Sequence, residues 1–201
     1  MALTEAKGRY QGQAEVLART AVPAIQEAEA VVDFWRRSRA HWFSKRPDFD
    51  RHFRERFLKL HLAAARRECD HWTHLPVGAL ALLILLDQFP RNAFRGTAHM
   101  YATDALARHF ARVALERDQM DRVEVPLRLF FCLPFAHSED LADQDVSVLL
   151  NARLGRTARS HAVRHRDIVR RFGRFPHRNP LLLRQTTPAE QEFLDGGGFA
   201  G

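Results

Sequence analysis

The chain has 201 residues, of which 46% are hydrophobic and 27% charged, a composition typical of one globular domain and incompatible with disorder along its whole length. Its net charge of +7 is carried almost entirely by arginine, since lysine occurs only at Lys7, Lys45 and Lys59. Two cysteines, the lack of a secretory signal pattern and the lack of an apolar run of about 18 residues predict a reduced, cytoplasmic protein without membrane contact.

In the first third of the chain, the spacing of apolar residues predicts two helices after a polar extension. Residues 1–24 are polar and weakly patterned and are interpreted as a loosely attached extension. A helix from Ile25 to Trp35 follows, and Asp48 is positioned to cap the next one. That next helix has apolar side chains at every third or fourth position, which is one stripe of a 3.6-residue repeat. The stripe comprises Phe49, Phe53, Phe57, Leu60 and Ala64.

The middle of the chain contains its most apolar segment. A fully buried helix is expected to open at Pro76 and to close at Phe89-Pro90, because the residue before proline avoids the α region. A helix is predicted from about Thr97 to Arg117, and a shorter one from Pro126 to Cys132 that Pro134 interrupts.

The last third has clear start and stop signals. Ser138 is expected to cap a helix that runs to about Leu154, and the helix 156–172 should end at Gly173. The "TPAE" segment, 187–190, is a capping box that opens a short helix to Leu194. With no period-two segment, the chain is predicted to be all-α, a single array of roughly seven to nine helices over residues 25–195, with a mobile tail at 196–201.

Two similar motifs, "DQFPRN" (87–92) and "FGRFPHRN" (172–179), each lie at a predicted helix end. Their arginines lie among phenylalanines, and a dehydrated guanidinium needs an anionic partner. Either the few local acids neutralise these arginines in a structural network, or some of them bind a ligand anion. The candidate ligand-binding residues are Trp35, Trp42, Arg91, Asn92, Arg95, Ser138, Arg174, His177, Arg178 and Asn179.

A third motif, "LPFAHSED" (133–140), has the residue types of acid/base chemistry. His137 precedes two carboxylates, and imidazole exchanges protons near neutral pH. With Glu139 or Asp87, His137 is a candidate catalytic residue. The alternative is that Ser138 only caps a helix and the acids only interact with its dipole. We expect this motif to lie beside the two Phe-Pro motifs, which should meet in space.

The series "DFW", "WF", "LLDQFPRNAFRGT", "HSED" and "FGRFPHRN", in this order, resembles a bacterial family known as domain of unknown function 924. The resemblance covers about residues 31–195 and implies an all-helical fold related to tetratricopeptide-like arrays, but no reaction. Two positions depart from the family pattern: Ala136 stands where a glutamate is usual, and Leu183 stands where a glycine is usual.

Two further patterns were weighed. His161 and His165 share a helix face as metal ligands often do, but no acid accompanies them, so neither a metal nor a cofactor is predicted. His165 is instead expected to make a satisfied, buried hydrogen bond near the second Phe-Pro motif. The arginine-rich segment 153–184 has one acid, Asp167, and would suit nucleic acid or an acidic protein.

Three functions therefore remain open. The first is a helical binding module for an acidic small molecule or a peptide carboxylate. The second is a hydrolase-like enzyme that uses His137 with Glu139 or Asp87. The third is binding of nucleic acid or an acidic protein through the basic segment 153–184.

Overall fold

The computed structural model describes residues 25–199, so the extension 1–24 lies outside it. The described residues form helices and turns without any strand, which confirms the all-α fold. Because α3 continues into α4 through a π-helical turn (Ile84–Gln88), this part of the chain has eight separate helices, within the expected seven to nine. The segments are α1 (25–37), α2 (Pro47–Ala65), α3 (Pro76–Leu83), α4 (Phe89–Ala93), α5 (Asp104–Glu116), α6 (Leu129–Ala136), α7 (Leu141–Leu154), α8 (Arg156–Phe172) and α9 (Pro188–Asp195).

The most apolar segment lies at the centre of the main core. Residues 78–90 are buried without exception, as expected for the run that opens at Pro76. Side chains of α1, α2, α5 and α6 complete the core. No helix in residues 25–199 is long and apolar enough to cross a bilayer.

Helix α2 buries the predicted stripe. Phe53, Phe57 and Ala64 are buried, while Phe49 and Leu60 are partly buried against the same core. The predicted cap is wrong, however: the helix begins at Pro47, and Asp48 lies inside its first turn. Proline at the first helical position has no N–H that needs capping, and an acid in the first turn still interacts favourably with the helix dipole.

The helix that starts at Pro76 does not close at Phe89-Pro90 but continues to Ala93. The π turn makes this possible, because the Phe89 amide donates to the Ile84 carbonyl, five residues back. Pro90 has no N–H, so the carbonyls at 85 and 86 need other donors. His61 Nδ1 donates to Leu85 O at 2.9 Å, and Thr103 Oγ1 donates to Leu86 O at 2.6 Å.

Two other boundaries differ from the prediction. The segment expected as one helix from Thr97 to Arg117 is a 3-10 turn (Ala98–Tyr101) followed by α5. Helix α6 passes through Pro134 and ends at Ala136. The proline removes one backbone hydrogen bond, but the buried side chains on both sides of it, including Phe131 and Phe135, keep the helix packed in the core.

The last helices follow their start and stop signals closely. Asp140, rather than Ser138, caps α7, with its carboxylate accepting from the amides of Ala142 and Asp143. Gly173 ends α8 with a left-handed φ of 70°, as predicted. Thr187 and Glu190 form the predicted capping box of α9.

The C-terminal part has its own small apolar cluster. Ile168, Val169 and Phe175 form it, and Phe172 and Phe193 pack against them. Phe199, in the segment predicted as a mobile tail, lies with its ring 4.6 Å from that of His165. The mobility of the tail stays a prediction.

Candidate functional site

The two Phe-Pro motifs meet in space, as predicted, and the residue that both contact is Asp104. Arg91 of the first motif donates two hydrogen bonds to this carboxylate, at 2.8 and 3.0 Å. Arg178 of the second motif has its Nη1 3.6 Å from the Asp104 Oδ2. Together with three further side chains these groups form one cluster, here called the polar corner. Its members are Asp87, Arg91, Tyr101, Asp104, His137 and Arg178.

Asp87 and His137 form a hydrogen-bonded pair within the polar corner. His137 Nδ1 lies 2.7 Å from Asp87 Oδ1, and the Asp87 side chain is 1% exposed. Burial alone would raise the pKa of Asp87, but the positive charge of Arg91 and the hydrogen bonds from His137 and Gln88 outweigh it and lower this pKa. Burial and Arg91 lower the pKa of His137, against the opposing effect of Asp87. The imidazole is therefore neutral at neutral pH, and its Nδ1 donates to the carboxylate.

The tautomer has a chemical consequence. With the proton on Nδ1, the Nε2 of His137 carries a lone pair and is a potential base. Within residues 25–199, no hydrogen bond engages this Nε2. The His137 side chain is 17% exposed, so the polar corner reaches the solvent at this ring.

Arg178 is less well neutralised than Arg91. Its side chain is 8% exposed, its Nη2 donates to the His137 carbonyl at 2.8 Å, and its buried Nε has no acceptor among residues 25–199. Burial and the neighbouring charge of Arg91 lower the pKa of this guanidinium, although Asp104 counteracts them. The rings of Tyr101 and Phe175 lie 4.6 and 4.8 Å from it.

Two more histidines lie beside the polar corner. Burial and His137 lower the pKa of His165 to about 4, and burial and Arg178 lower that of His177 to about 3. The His165 ring packs against Phe175, so its predicted place near the second motif is confirmed. Its Nδ1 is nevertheless buried without a hydrogen-bond partner in the range 25–199, as is the Nδ1 of His177.

Glu139 does not contact His137 and instead contacts the C-terminal segment. Its carboxylate accepts from the Phe175 amide at 2.9 Å and forms an ion pair with Arg184 at 2.8 Å. Asp87 is therefore the carboxylate that contacts His137. Ser138 Oγ donates to Asp143 at 2.7 Å, which gives this side chain a structural bond within the polypeptide.

Other predicted ligand-binding residues belong to separate clusters. Arg174 forms a double hydrogen bond with Glu190, at 2.6 and 2.8 Å, and Asn179 donates to the same carboxylate at 3.3 Å. The Arg174 hydrogen bond is the main cause that lowers the pKa of Glu190 to about 2. Asn92 and Arg95 both bind Asp50, each at 2.7 Å. Of the two alternatives, neutralisation by acids of the chain therefore applies to these arginines and to Arg91.

The two tryptophans do not line the polar corner, which corrects the sequence-based prediction. Trp35 and Trp42 stack in the core, with exposed fractions of 0% and 8%, and both contact Phe130. Phe130 lies seven residues before His137 on the same helix, about 10 Å along its axis. The two indoles are therefore part of the hydrophobic core and not of the polar corner.

Neither Tyr101 nor Asp104 was among the residues predicted for the site. Both follow the first motif by about ten residues, in and after a 3-10 turn that was expected to be helical. The sequence shows an acid at the start of α5, but it does not show that this acid is only 7% exposed and therefore must have a partner.

The basic segment is partly neutralised. Arg166 pairs with Asp145 and Arg170 with Asp167, whereas Arg156, Arg159 and Arg164 have no ion pair within the described part of the chain. Among residues 25–199, no group of three or more His, Cys, Asp or Glu side chains is arranged to hold a metal ion.

The cysteines are free thiols inside the core. Cys69 and Cys132 are both buried, as expected of small apolar side chains. Burial raises the pKa of Cys69 to about 11 and that of Cys132 to about 12.

Comparison with known proteins agrees with this fold. The profile of a bacterial family of unknown function, DUF924, matches residues 31–198. The chain belongs to this family. A solved structure of a protein of unknown function from Agrobacterium tumefaciens is 54% identical and superposes with a TM-score of 0.84, covering 86% of this chain and 99% of the other. The comparison with curated proteins gave no match.

Proposed function

We propose that this DUF924 protein is a helical binding module that takes up a small acidic ligand, a free carboxylate, at the polar corner. The observation that carries the proposal is the incomplete neutralisation of Arg178. A buried guanidinium without a close anion costs several kcal/mol, and a ligand carboxylate would remove much of that cost.

The arrangement of charges supports a ligand at Arg178 rather than at Arg91. Both carboxylates of the polar corner are in contact with Arg91: Asp104 by two hydrogen bonds and Asp87 at 3.2 Å. Arg178 has the more distant contact with Asp104 and no second carboxylate within ion-pair distance among the described residues. An added carboxylate would also reduce the repulsion between the two guanidinium groups.

The chemistry around Arg178 suits a carboxylate. A guanidinium binds carboxylate through two parallel N–H donors, and the Nε of Arg178 is a donor that no acceptor in the described part of the chain engages. The Tyr101 and Phe175 rings hold the guanidinium plane in place and exclude water from it. Because His137 is partly exposed, a ligand could approach along this ring.

The test is a thermal-stability series at constant ionic strength with acetate, succinate, citrate and phosphate, and with trialanine as the free acid or the amide. Ligands with a free carboxylate should raise the stability by about 2.7 kcal/mol at 100 times Kd. Arg178→Met should abolish this effect, whereas Arg170→Gln, which removes an exposed charge, should retain it. If no anion stabilises the wild-type protein, or the Arg178→Met variant responds equally, the proposal fails.

A second function, a hydrolase-like activity, is favoured by one observation: the 2.7 Å contact between Asp87 and His137, with Nε2 unengaged. A carboxylate that orients a neutral imidazole in this way is a general-base arrangement. Activity toward p-nitrophenyl esters and phosphates should fall by about 100-fold or more in His137→Gln. Wild-type rates equal to the uncatalysed rates for every substrate would exclude this function.

Binding of nucleic acid or an acidic protein through residues 153–184 requires an affinity that falls steeply with salt. No contact in the structure favours it over the polar corner. The tetratricopeptide-like relationship and the cytoplasmic location stay predictions, and the proposal does not depend on either.

A further inference from the structure

A cavity of about 490 Å³ lies between α1 and the first half of α2, away from the polar corner. None of its lining residues belongs to the polar corner or to the clusters around Glu190 and Asp50. Its volume is in the range of small-molecule sites in proteins. The side chains that give it its chemistry are Phe34, Arg37, His41, Phe49, His52 and Arg56.

The cavity wall is aromatic. Phe34 and Phe49 are stacked with their ring centroids 6.0 Å apart, and each has a histidine ring beside it. The His52 ring lies 5.6 Å from Phe34, and the His41 ring lies 5.2 Å from Phe49. Both phenylalanines are only partly buried, so their rings remain accessible from the cavity.

The charge at the cavity is positive and poorly neutralised. Arg37 and Arg56 line it, and neither forms an ion pair with any residue in the range 25–199. The one acid of the lining, Asp33, is bound by Arg36, which also pairs with Glu124 at 2.9 Å. The guanidinium of Arg56 lies 5.4 Å from the Phe34 ring, so the positive charge is beside the aromatic wall.

We propose that this cavity is a second binding site, one for a small aromatic carboxylate. The ligand ring would pack on Phe34 and Phe49, where offset or edge contacts between rings are favourable. The carboxylate would accept hydrogen bonds from Arg37 and Arg56, whose donors have no anionic partner in the described protein. The imidazoles of His41 and His52 add further N–H donors at the rim.

The tryptophan pair gives a direct signal for this site. Trp35 follows Phe34 in the chain, and its ring lies 6.4 Å from Phe49. A ligand that packs on Phe49 should therefore change indole fluorescence. The probes are benzoate, its neutral analogue benzamide, and acetate, which has the same charge without the ring.

Benzoate should bind the full-length protein saturably and at least about tenfold more tightly than benzamide or acetate, since each lacks one of the two contacts. Arg37→Gln with Arg56→Gln should weaken benzoate binding about tenfold or more. Arg37→Gln alone, at an exposed position, should weaken it measurably and serves if the double variant does not fold.

Two control variants locate the binding. Lys59→Gln removes one exposed positive charge from the same helix outside the cavity and should leave benzoate affinity within about twofold. All titrations are repeated in Arg178→Met, which removes the carboxylate site proposed at the polar corner, so that the affinities compared belong to the cavity. The proposal is overturned if benzoate does not saturate, if benzamide or acetate binds equally well, or if the arginine variants bind benzoate like the wild type.

Discussion

The environment of a single carboxylate, Asp87, shows how the polar corner is stabilised. It contacts Arg91, His137 and Gln88 while its side chain is 1% exposed. A buried acid of this kind contributes little net stability as part of a pair, but its removal leaves two buried guanidinium groups, Arg91 and Arg178, with Asp104 as the one carboxylate of the polar corner. The loss in free energy of unfolding on replacing Asp87 therefore measures how well the polar corner excludes water.

Asp87→Asn should lower the free energy of unfolding by about 3–5 kcal/mol, because Arg91 and His137 lose their shared anion. Urea denaturation at pH 7 measures the change. The matched control is Asp145→Asn, whose exposed carboxylate pairs with Arg166 and whose loss should cost less than about 1 kcal/mol. Equal effects of the two substitutions would contradict the closed environment of Asp87.

Leu183 is a residue in an unfavourable backbone conformation. Its φ is +53° and it is 95% exposed, at the position where the family resemblance implies glycine. A close approach of another part of the backbone is one reason for a glycine at such a position. The structure instead indicates a conformational reason, because the exposed side chain contacts little and the left-handed φ penalises any residue with a Cβ.

Leu183→Gly should therefore increase the free energy of unfolding by up to about 1 kcal/mol, the relief of strain being partly offset by the entropy of glycine in the unfolded chain. Leu149→Gly is the matched control at another exposed leucine, and it should destabilise by about 1 kcal/mol since it lies inside α7. Both are measured by denaturant unfolding. A less stable Leu183→Gly variant would refute the assignment of strain.

The histidines beside the polar corner predict a pH dependence. The folded pKa values of about 4 for His165 and about 3 for His177 lie below the unfolded value of about 6.5. Between these values the unfolded chain binds more protons, so stability is complete above pH 6.5 and falls as the pH is lowered. By pH 5 the loss is about 2 kcal/mol per histidine.

Replacing His177 by Phe should remove its share of this dependence. The free energy of unfolding of His177→Phe should fall less between pH 7.5 and pH 5 than that of the wild type, by about 2 kcal/mol. Identical pH profiles would show that His177 titrates normally in the folded protein.

At the scale of elements, the helix 76–93 shows what local sequence can and cannot predict. Its existence, burial and start at Pro76 follow from apolar composition and proline. Its continuation through Pro90 depends on donors from distant parts of the chain, His61 and Thr103, which no local pattern reveals. The same limit applies to the candidate site. Arg91 and Arg178 could be recognised from their motifs, but the acids that neutralise Arg174 and Arg95 come from other elements and could not be assigned from local sequence.

Thr103→Val tests the role of the π turn. It keeps the side-chain shape but removes the donor to the Leu86 carbonyl, which leaves a buried acceptor unsatisfied. The free energy of unfolding should fall by about 1–3 kcal/mol in urea denaturation. Thr157→Val, at an exposed position of α8, should change it by less than about 0.5 kcal/mol. No difference between the two variants would mean that Leu86 has no need of this donor.

At the scale of the whole molecule, the described chain has two unequal apolar clusters. The main one ends at Leu154, and the small one belongs to residues 168–193. Polar contacts contribute to joining them: Glu139 binds the Phe175 amide and Arg184. The main cluster contains both cysteines, so thiol chemistry reports on its opening.

Cys69 and Cys132 should react with Ellman's reagent at pH 8 only at the rate at which the main core opens. Both thiols are buried and have raised pKa values, so the reactive thiolate is scarce and inaccessible. A Ser160→Cys variant provides an exposed thiol on α8 that should react at once. Rapid reaction of the two native thiols would contradict a closed core.

The contacts of Glu139 with the Phe175 amide and Arg184 have a consequence for the order in which the parts of the protein unfold. If the C-terminal segment detaches before the main core melts, it carries Arg178 away from Asp104 and His137. Affinity for an acid at that guanidinium would then disappear while the protein still keeps most of its helix content, as measured by circular dichroism. Conversely, an acid bound at Arg178 would stabilise the attachment of the C-terminal segment and would slow amide hydrogen exchange most strongly in residues 156–195.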